Sequence, residues 1–397
     1  MLLVTSMVIA MNKIIDNYAK QLIQLSLMLH EHPEIAFEEE KAYRWLTEFL
    51  RHEGFEITEN VGGLKTAFIA TYDTKKEGPH LAYIAEYDAL KNIGHACGHN
   101  LIATMSVGAA LALSRSPYAN GVIHVIGAPA EEGGGGKIMM LEQGVFDEID
   151  YAMMIHPATE NLIMRGGLAT RGYTVNYFGK SAHSSSPEEG INALTSVLNT
   201  FYMIDQERGK MPIGTNINGI ILEGGIASNV IPDEASCKFS VRAKTVRDLE
   251  DVIDRLDNIV SNIDHNNKTT STIEKGLVYA ERYPNQPMAE TLKEHMKRYD
   301  IHMNYPRPNM KLGSSDIGNV SIQLPTIHSY LNIWDEEGDK PIAHDSSFTE
   351  ASKSEYALKK MLIGAKALAY TGESILKDKQ LQLDIKAYHD SINPQST

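Results

Sequence analysis

GVIHVIGAPAEEGGGGK, residues 121–137, joins a nearly continuous apolar run, Gly121–Ala128, to the acid pair Glu131 and Glu132 and then to a glycine loop ending at Lys137. A short β-rich run apolar on both sides of its period reads as a strand covered on both faces, which belongs to the parallel sheet of an α/β layer fold. Polar residues directly after such a strand lie where open α/β sheets gather ligands, outside the carboxyl ends of their strands. Other strands end the same way. The strand expected at His80–Ala85 leads to Glu86 and Asp88, and that at Tyr151–Ile155 to His156, where Pro157 is expected to end regular structure.

Around these strands the chain alternates. Helical spacing of apolar residues predicts helices from Met11 to His30 and from Glu38 to His52, with Gly54 ending the second. Further strands are expected at Phe55–Thr58, Thr66–Tyr72 and Ile327–Ile333. Further helices are expected at Leu101–Leu113, Met139–Gln143, Met288–Tyr299 and Phe348–Tyr370. Between residues 171 and 282 the rhythm changes to strand, helix, strand, strand, helix, strand, the βαββαβ order of a ferredoxin-like domain. The organisation expected is an α/β catalytic domain from segments 1–170 and 283–397, interrupted by an inserted domain at 171–282. The tail after Gly372 is polar and is expected to pack weakly.

A chain of 397 residues has room for two cores, and its net charge of −14 disfavours nucleic acid and anionic membrane surfaces as partners. Cys97 and Cys237 are the only cysteines, a poor disulfide pair, so a reducing, cytoplasmic setting is expected. The opening MLLVTSMVIAM is apolar but lacks a basic flank and is too short to span a bilayer. It reads as a first strand or as sequence upstream of the true start.

The stretch GHACGHN (94–100) supplies Cys97 and His99, two metal-ligand types two residues apart. His156, His183 and His344 each lie in a polar or proline-containing loop. Cys97, His99, Glu132, His156 and His344 make five ligands, enough for two divalent ions if one bridges. A thiolate suits the bridge, because two cations keep it deprotonated. GGGGK is followed by Ile138 rather than Ser or Thr, so a phosphate loop is disfavoured. His328 and eight other histidines receive no role, and His124 reads as a packed, mid-strand residue. A thiol hydrolase built on Cys97 and His99 is disfavoured, because residues so near in sequence face each other poorly and no oxyanion loop is evident.

Seven further stretches complete a pattern with GHACGHN: HEHPEIAFEE (30–39), EYDAL (86–90), APAEEGGGGK (128–137), GKSAHSSSPEEGINAL (179–194), ASNVIPDEA (227–235), GSSDIGNVS (313–321) and HDSSF (344–348). From about residue 20 to 370 the chain resembles the co-catalytic zinc peptidases and amidohydrolases, which include aminoacylases, carboxypeptidase G and indole-acetyl-amino-acid hydrolases. Its spelling is most like the branch with aminobenzoyl-glutamate hydrolase and the β-alanyl-lysine dipeptidase type. The resemblance implies a zinc-peptidase-like catalytic domain whose insert is a lid and dimerisation domain. It implies two divalent ions per subunit, zinc or alternatively manganese, with Cys97 bridging and His99, Glu132, His156 and His344 as the other ligands. It casts Glu131 as general base, Asp88 as support for the metal shell and His183 as the oxyanion histidine, often contributed by the partner subunit. It places Asn229 at the substrate pocket, while Arg242, on an insert strand, is a candidate for a substrate carboxylate. Implied substrates are dipeptides, N-acyl amino acids or aminobenzoyl-glutamate, cleaved with a metal-bridging hydroxide by a homodimer or tetramer. A broader aminopeptidase and an inactive binding protein on the same scaffold are the alternatives. The chain departs from its relatives in carrying Asn100 where many have Asp, Lys91 for a common proline, and Glu86 where carboxypeptidase-like branches have a histidine ligand.

Overall fold

The computed structural model describes residues 2–393, which divide into two compact units, 2–166 with 282–393, and Gly167–Glu281. The first unit is built on a six-stranded sheet. In spatial order its strands are Glu56–Glu59, Phe68–Asp73, Val122–Ala128, His80–Glu86, Tyr151–Ala158 and Thr326–Asn332. The last four run parallel, and the first two are antiparallel additions at one edge. The apolar run that predicts a doubly covered strand is one of the four parallel strands, and six of its seven residues are buried. Helix His99–Ser114 crosses over between two of these strands and is buried along all 16 residues. Its small residues allow that. A Cβ on Gly108 would lie 3.2 Å from both Leu22 and Ala365, so helices Leu2–Glu31 and Glu355–Lys377 can press directly onto it.

Four expectations are corrected. The opening apolar stretch is not a strand; it is the first part of one helix, Leu2–Glu31. No glycine or proline occurs before Pro33, so nothing interrupts helical propagation. The helix expected at Phe348–Tyr370 is two, Ser346–Ala351 and Glu355–Lys377, because Ser354 turns extended and caps the second by accepting from the Ala357 N–H. The tail does not pack weakly. Helix Lys379–Ile392 buries Ile385 and His389, and the Ile385 carbonyl accepts from the buried Asn285 side chain. Pro157 does not end its strand, which continues to Ala158 in register with Leu331 and Asn332. The neighbouring strand His80–Glu86 pairs only as far as Met153, so Pro157 faces no ladder partner on that side.

The unit Gly167–Glu281 has the βαββαβ order. Its antiparallel sheet is ordered Thr270–Lys275, Ala169–Phe178, Glu234–Ala243, Asn216–Glu223. Helices Ala193–Glu207 and Val246–Asn267 pack on it, capped by Asn192 and Thr245. The second buries Leu249, Val252, Ile253, Leu256, Ile259, Val260 and Ile263, one stripe of a 3.6-residue period. No helix among the described residues is long and apolar enough to cross a membrane.

Candidate metal centre and active site

Three adjacent parallel strands bring the chemistry to one edge. Glu86 ends the strand His80–Glu86, with Asp88 two residues beyond; Glu131 and Glu132 follow Val122–Ala128. His156 does not lie past its strand, as the following proline suggests, but inside it. The GHACGHN loop is pressed against that strand. A Cβ on Gly98 would stand 2.8 Å from the Pro157 side chain, and Gly98 adopts φ +75 as the cap of helix His99–Ser114. That close approach sets the Cys97 Sγ 3.4 Å from His156 Nε2.

His99 is wholly buried, and its Nδ1 lies 2.9 Å from Asp88 Oδ1. The carboxylate fixes the ring so that Nε2 faces Glu86, Glu131 and Glu132, at 3.8, 3.9 and 4.0 Å. The other Asp88 oxygen accepts from the Glu132 backbone N–H at 2.9 Å, so one acid orients two predicted ligands. His344 sits at φ +64, tied by its N–H to the Ala96 carbonyl, and its Nε2 is 3.4 Å from Glu132 Oε1. His156 Nδ1 lies 2.7 Å from the Pro157 carbonyl, leaving Nε2 for the centre.

Two ligand triplets share one atom. Ligand atoms of Cys97, His99 and His156 lie within 4.8 Å of one another, and so do those of Cys97, Glu132 and His344. Cys97 is common to both. The donors suit divalent ions: buried His99 Nε2 has no hydrogen-bond partner among the described residues, and Glu132 Oε1 meets only the ring of His344, itself a predicted ligand, an unusual state unless a cation meets them. Burial, followed by Glu132 and Glu131, pushes the Cys97 thiol upward, the reverse of what a thiol nucleophile needs. Burial also opposes charge on His99, yet Asp88 and the side chain of Cys97 hold its pKa well above the usual range.

Glu131 stands outside the two triplets built on Cys97. Its carboxylate groups instead with His99 and Glu132 on one side and with Glu86 and Asp316 on the other. Burial, then Glu86, Asp316 and Glu132, raise its pKa well above the carboxylate range. Behind it lies Lys137, fully buried, with Nζ 2.7 Å from both Glu86 Oε1 and Asp316 Oδ1. The backbone before Glu131 is held by Glu39, an acid to which sequence reasoning assigns no task. Buried Glu39 accepts from the N–H groups of Ala130 and Phe37, each at 2.9 Å, and from Thr66 Oγ1 at 2.8 Å. Ala130 takes φ +58 there, aiming the next residue. Burial lifts Glu39 to about 7. Its only sequence signal is its place in the HEHPEIAFEE stretch. Asn100 also finds a reason: its amide donates to Ser26 Oγ and the Ser352 carbonyl, at 3.1 and 3.2 Å, which an aspartate could not do. His124 is packed as expected, 3.1 Å from the Thr71 hydroxyl and 3.3 Å from His80.

Within the insert, His183 and Asn229 come together. His183 pairs with Val230 across a short ladder, and the Ser184 N–H donates to the Asn229 carbonyl. His183 is exposed, with Nδ1 2.8 Å from Ser185 Oγ. Arg242 is not part of that grouping. Its strand starts at Glu234, opposite Phe178, and Arg242 lies near the other end, opposite Thr170, roughly 26 Å along at ~3.3 Å per residue.

Residues 169–268 match the family profile described as a peptidase dimerisation domain. Human Xaa-Arg dipeptidase is 34% identical over 389 residues, covering 92% of this chain and 88% of that protein. The chain belongs to the M20 family of metallopeptidases. One of the polypeptides of p-aminobenzoyl-glutamate hydrolase from Escherichia coli is 30% identical over 303 residues, covering 68% of this chain and 60% of that protein. The M20 fold is evident from solved structures as well. An aminobenzoyl-glutamate utilization protein from Klebsiella pneumoniae superposes with a TM-score of 0.72 at 20% identity, covering 92% of this chain and 98% of that one. A dinuclear metal-binding M20 peptidase from Bacillus subtilis does so with 0.68 at 19% identity, covering 91% and 99%. As an M20 member the chain is a metal-dependent hydrolase of peptide and amide bonds.

Proposed function

We propose that this chain hydrolyses the amide bond of small substrates, dipeptides or N-acyl amino acids including aminobenzoyl-glutamate, with two divalent ions. Cys97, His99 and His156 would hold one ion and Cys97, Glu132 and His344 the other. The observation that carries the reading is the single thiol shared by two ligand triplets, with a carboxyl group, Glu131, beside them but in neither. A thiolate with imidazole and carboxylate donors suits zinc, with manganese as the alternative. Bound there, such ions supply Lewis acidity toward water and the amide carbonyl. The chain's own residues do the rest. Glu131 takes the proton that water gives up and returns it to the departing amine nitrogen. Asp88 keeps the His99 ring and the Glu132 backbone in place. His183 is assigned to the carbonyl oxygen as negative charge grows on it, and Asn229, beside it in the insert, to substrate contact.

Chelation followed by metal titration tests this. The purified protein is expected to carry two transition-metal ions per chain, to lose hydrolysis of a panel of dipeptides and acyl amino acids on chelation, and to regain it with Zn²⁺ or Mn²⁺. Full activity in metal-free protein would sink the reading.

We assign the insert a second task, pairing two copies of the chain. Its sheet ends in the strand Asn216–Glu223, which leaves Ile220, Ile221 and Leu222 at 56%, 46% and 52% exposure. A free apolar edge invites another strand. Tyr202 on a neighbouring helix, Ala193–Glu207, is exposed as well. Converting Ile220 and Leu222 to Glu is expected to turn a dimer into monomer by light scattering while circular dichroism stays unchanged. A variant that remains dimeric would place the interface elsewhere.

A further inference from the structure

Arg282 is the first residue of the second segment of the catalytic unit, and it is only 7% exposed. Its Nη1 donates to the Tyr330 hydroxyl at 2.9 Å and to His328 Nδ1. Its Nε is buried with no acceptor. No carboxylate pairs with this guanidinium among the described residues. Removing a charge from water without a counter-ion is costly enough that chains seldom retain one without use.

The neighbours repeat the pattern. A guanidinium can only donate, so the His328 Nδ1 that meets it accepts, and the neutral ring carries its proton on Nε2. That Nε2 is likewise buried without a partner. Arg165 lays its guanidinium 4.5 Å from the centre of the Tyr330 ring; its terminal nitrogen donates to the Lys311 carbonyl at 3.2 Å, while its Nε has no acceptor. Three buried donors and two positive charges thus gather about one tyrosine and lack an anion.

Their place is equally specific. His328 and Tyr330 are two residues apart on the strand Thr326–Asn332 and so share a face. Tyr330 is in register with His156, and the His156 ring centre lies 5.3 Å from that of His328 and 5.5 Å from that of Tyr330. The anion-deficient group therefore adjoins a residue of the first ligand triplet.

We propose that Arg282, with His328 Nε2 and Arg165, forms the subsite for the carboxylate of the substrate's C-terminal amino acid. The assignment rests on the hydrolase reading above. It gives Arg282, rather than Arg242, the task of selecting substrates that end in a free acid. A guanidinium binds a carboxylate through two parallel N–H donors, which also fixes the orientation of the amino acid.

Alanyl-arginine and its C-terminal amide, assayed side by side, test this. Wild-type protein should favour the acid, and Arg282→Gln should lower the acid-to-amide ratio of kcat/KM by roughly 10- to 100-fold, mostly through KM. Arg282→Lys should retain part of the preference, and His328→Gln should lose a smaller share. Calorimetric binding of arginine against argininamide reads the same subsite without turnover: wild type should prefer arginine and Arg282→Gln should not. Hydrolysis with no acid preference in wild type, or a preference untouched in Arg282→Gln, overturns the subsite and leaves the hydrolase standing. Absent hydrolysis together with a binding preference that depends on Arg282 would overturn the hydrolase reading instead. Should Arg282→Gln fail to fold, Arg282→Lys and His328→Gln, which keep the buried polar character, decide by the same ratio: a preference unchanged in both overturns the subsite.

Discussion

Glu131→Gln is expected to lower kcat by roughly 10²- to 10⁴-fold while the protein still binds two metal ions per chain. The substitution keeps shape and removes the proton acceptor. None of the side chains in the two triplets that share Cys97 is altered by it. KM should move little, because the lost interaction belongs to proton transfer and not to ground-state binding. Glu132→Gln supplies the contrast. Glu132 shares a triplet with Cys97 and His344, so its loss should lower metal stoichiometry as well as turnover. Elemental analysis beside steady-state kinetics separates the two acids. If Glu131→Gln shed an ion, Glu131 would be a ligand; if it kept more than about a tenth of wild-type kcat, it would not be the base. The environment of Glu131 agrees with the role. Burial and the surrounding acids raise its affinity for protons, the direction that suits a group taking a proton from water.

Much of this arrangement is legible in the chain itself. The parallel strands announce themselves because burial on both faces demands unbroken apolar runs, and the acids proposed for the site follow those runs directly. The insert is legible because two amphipathic helices separated by paired strands have few other ways to bury their stripes. What escapes is what depends on distant partners. His328 within an apolar strand carries no local sign that a guanidinium from residue 282 meets its ring. Glu39 looks like one acid among several, and its contact with the Ala130 N–H spans 91 positions. A proline usually ends a strand, which sets His156 at a strand end by local rules; only the short reach of the neighbouring strand shows why Pro157 is tolerated inside one. Only the opening stretch of the first helix, before Met11, is hidden, by a composition that suits strand and helix alike, with the lack of helix breakers alone to decide it.

Lys137 belongs with the illegible residues, and its removal should have the largest effect on stability. Sequence motifs raise only a phosphate-loop reading for it, whereas its partners are Glu86 and, 179 positions away, Asp316. Both the Lys137 ammonium and its backbone N–H meet Asp316, at 2.7 and 2.9 Å. Lys137→Met would leave two buried carboxylates facing each other near Glu131 with no cation between them. Taking one member from a buried ionic group costs about 3–5 kcal/mol. For a protein of this size that is a fall in Tm on the order of 10 °C. The deficit should depend on pH in a definite direction. Burial already pushes Asp316 up to about 6 against the pull of Lys137, and without the lysine it must bind its proton more tightly still when folded, while Glu86, now held below the usual carboxylate range with the help of Lys137, is pushed upward. A carboxyl whose folded pKa exceeds its unfolded value weakens the fold as pH rises between the two. The gap between variant and wild type should therefore widen from about pH 5.5 to about pH 8 in chelated protein. Adding Glu86→Gln to Lys137→Met should recover part of the loss, because one uncompensated charge disappears. Thermal melts of the three proteins at both pH values decide the matter: a single variant melting within about two degrees of wild type at both would mean that the lysine does not hold this acid cluster together.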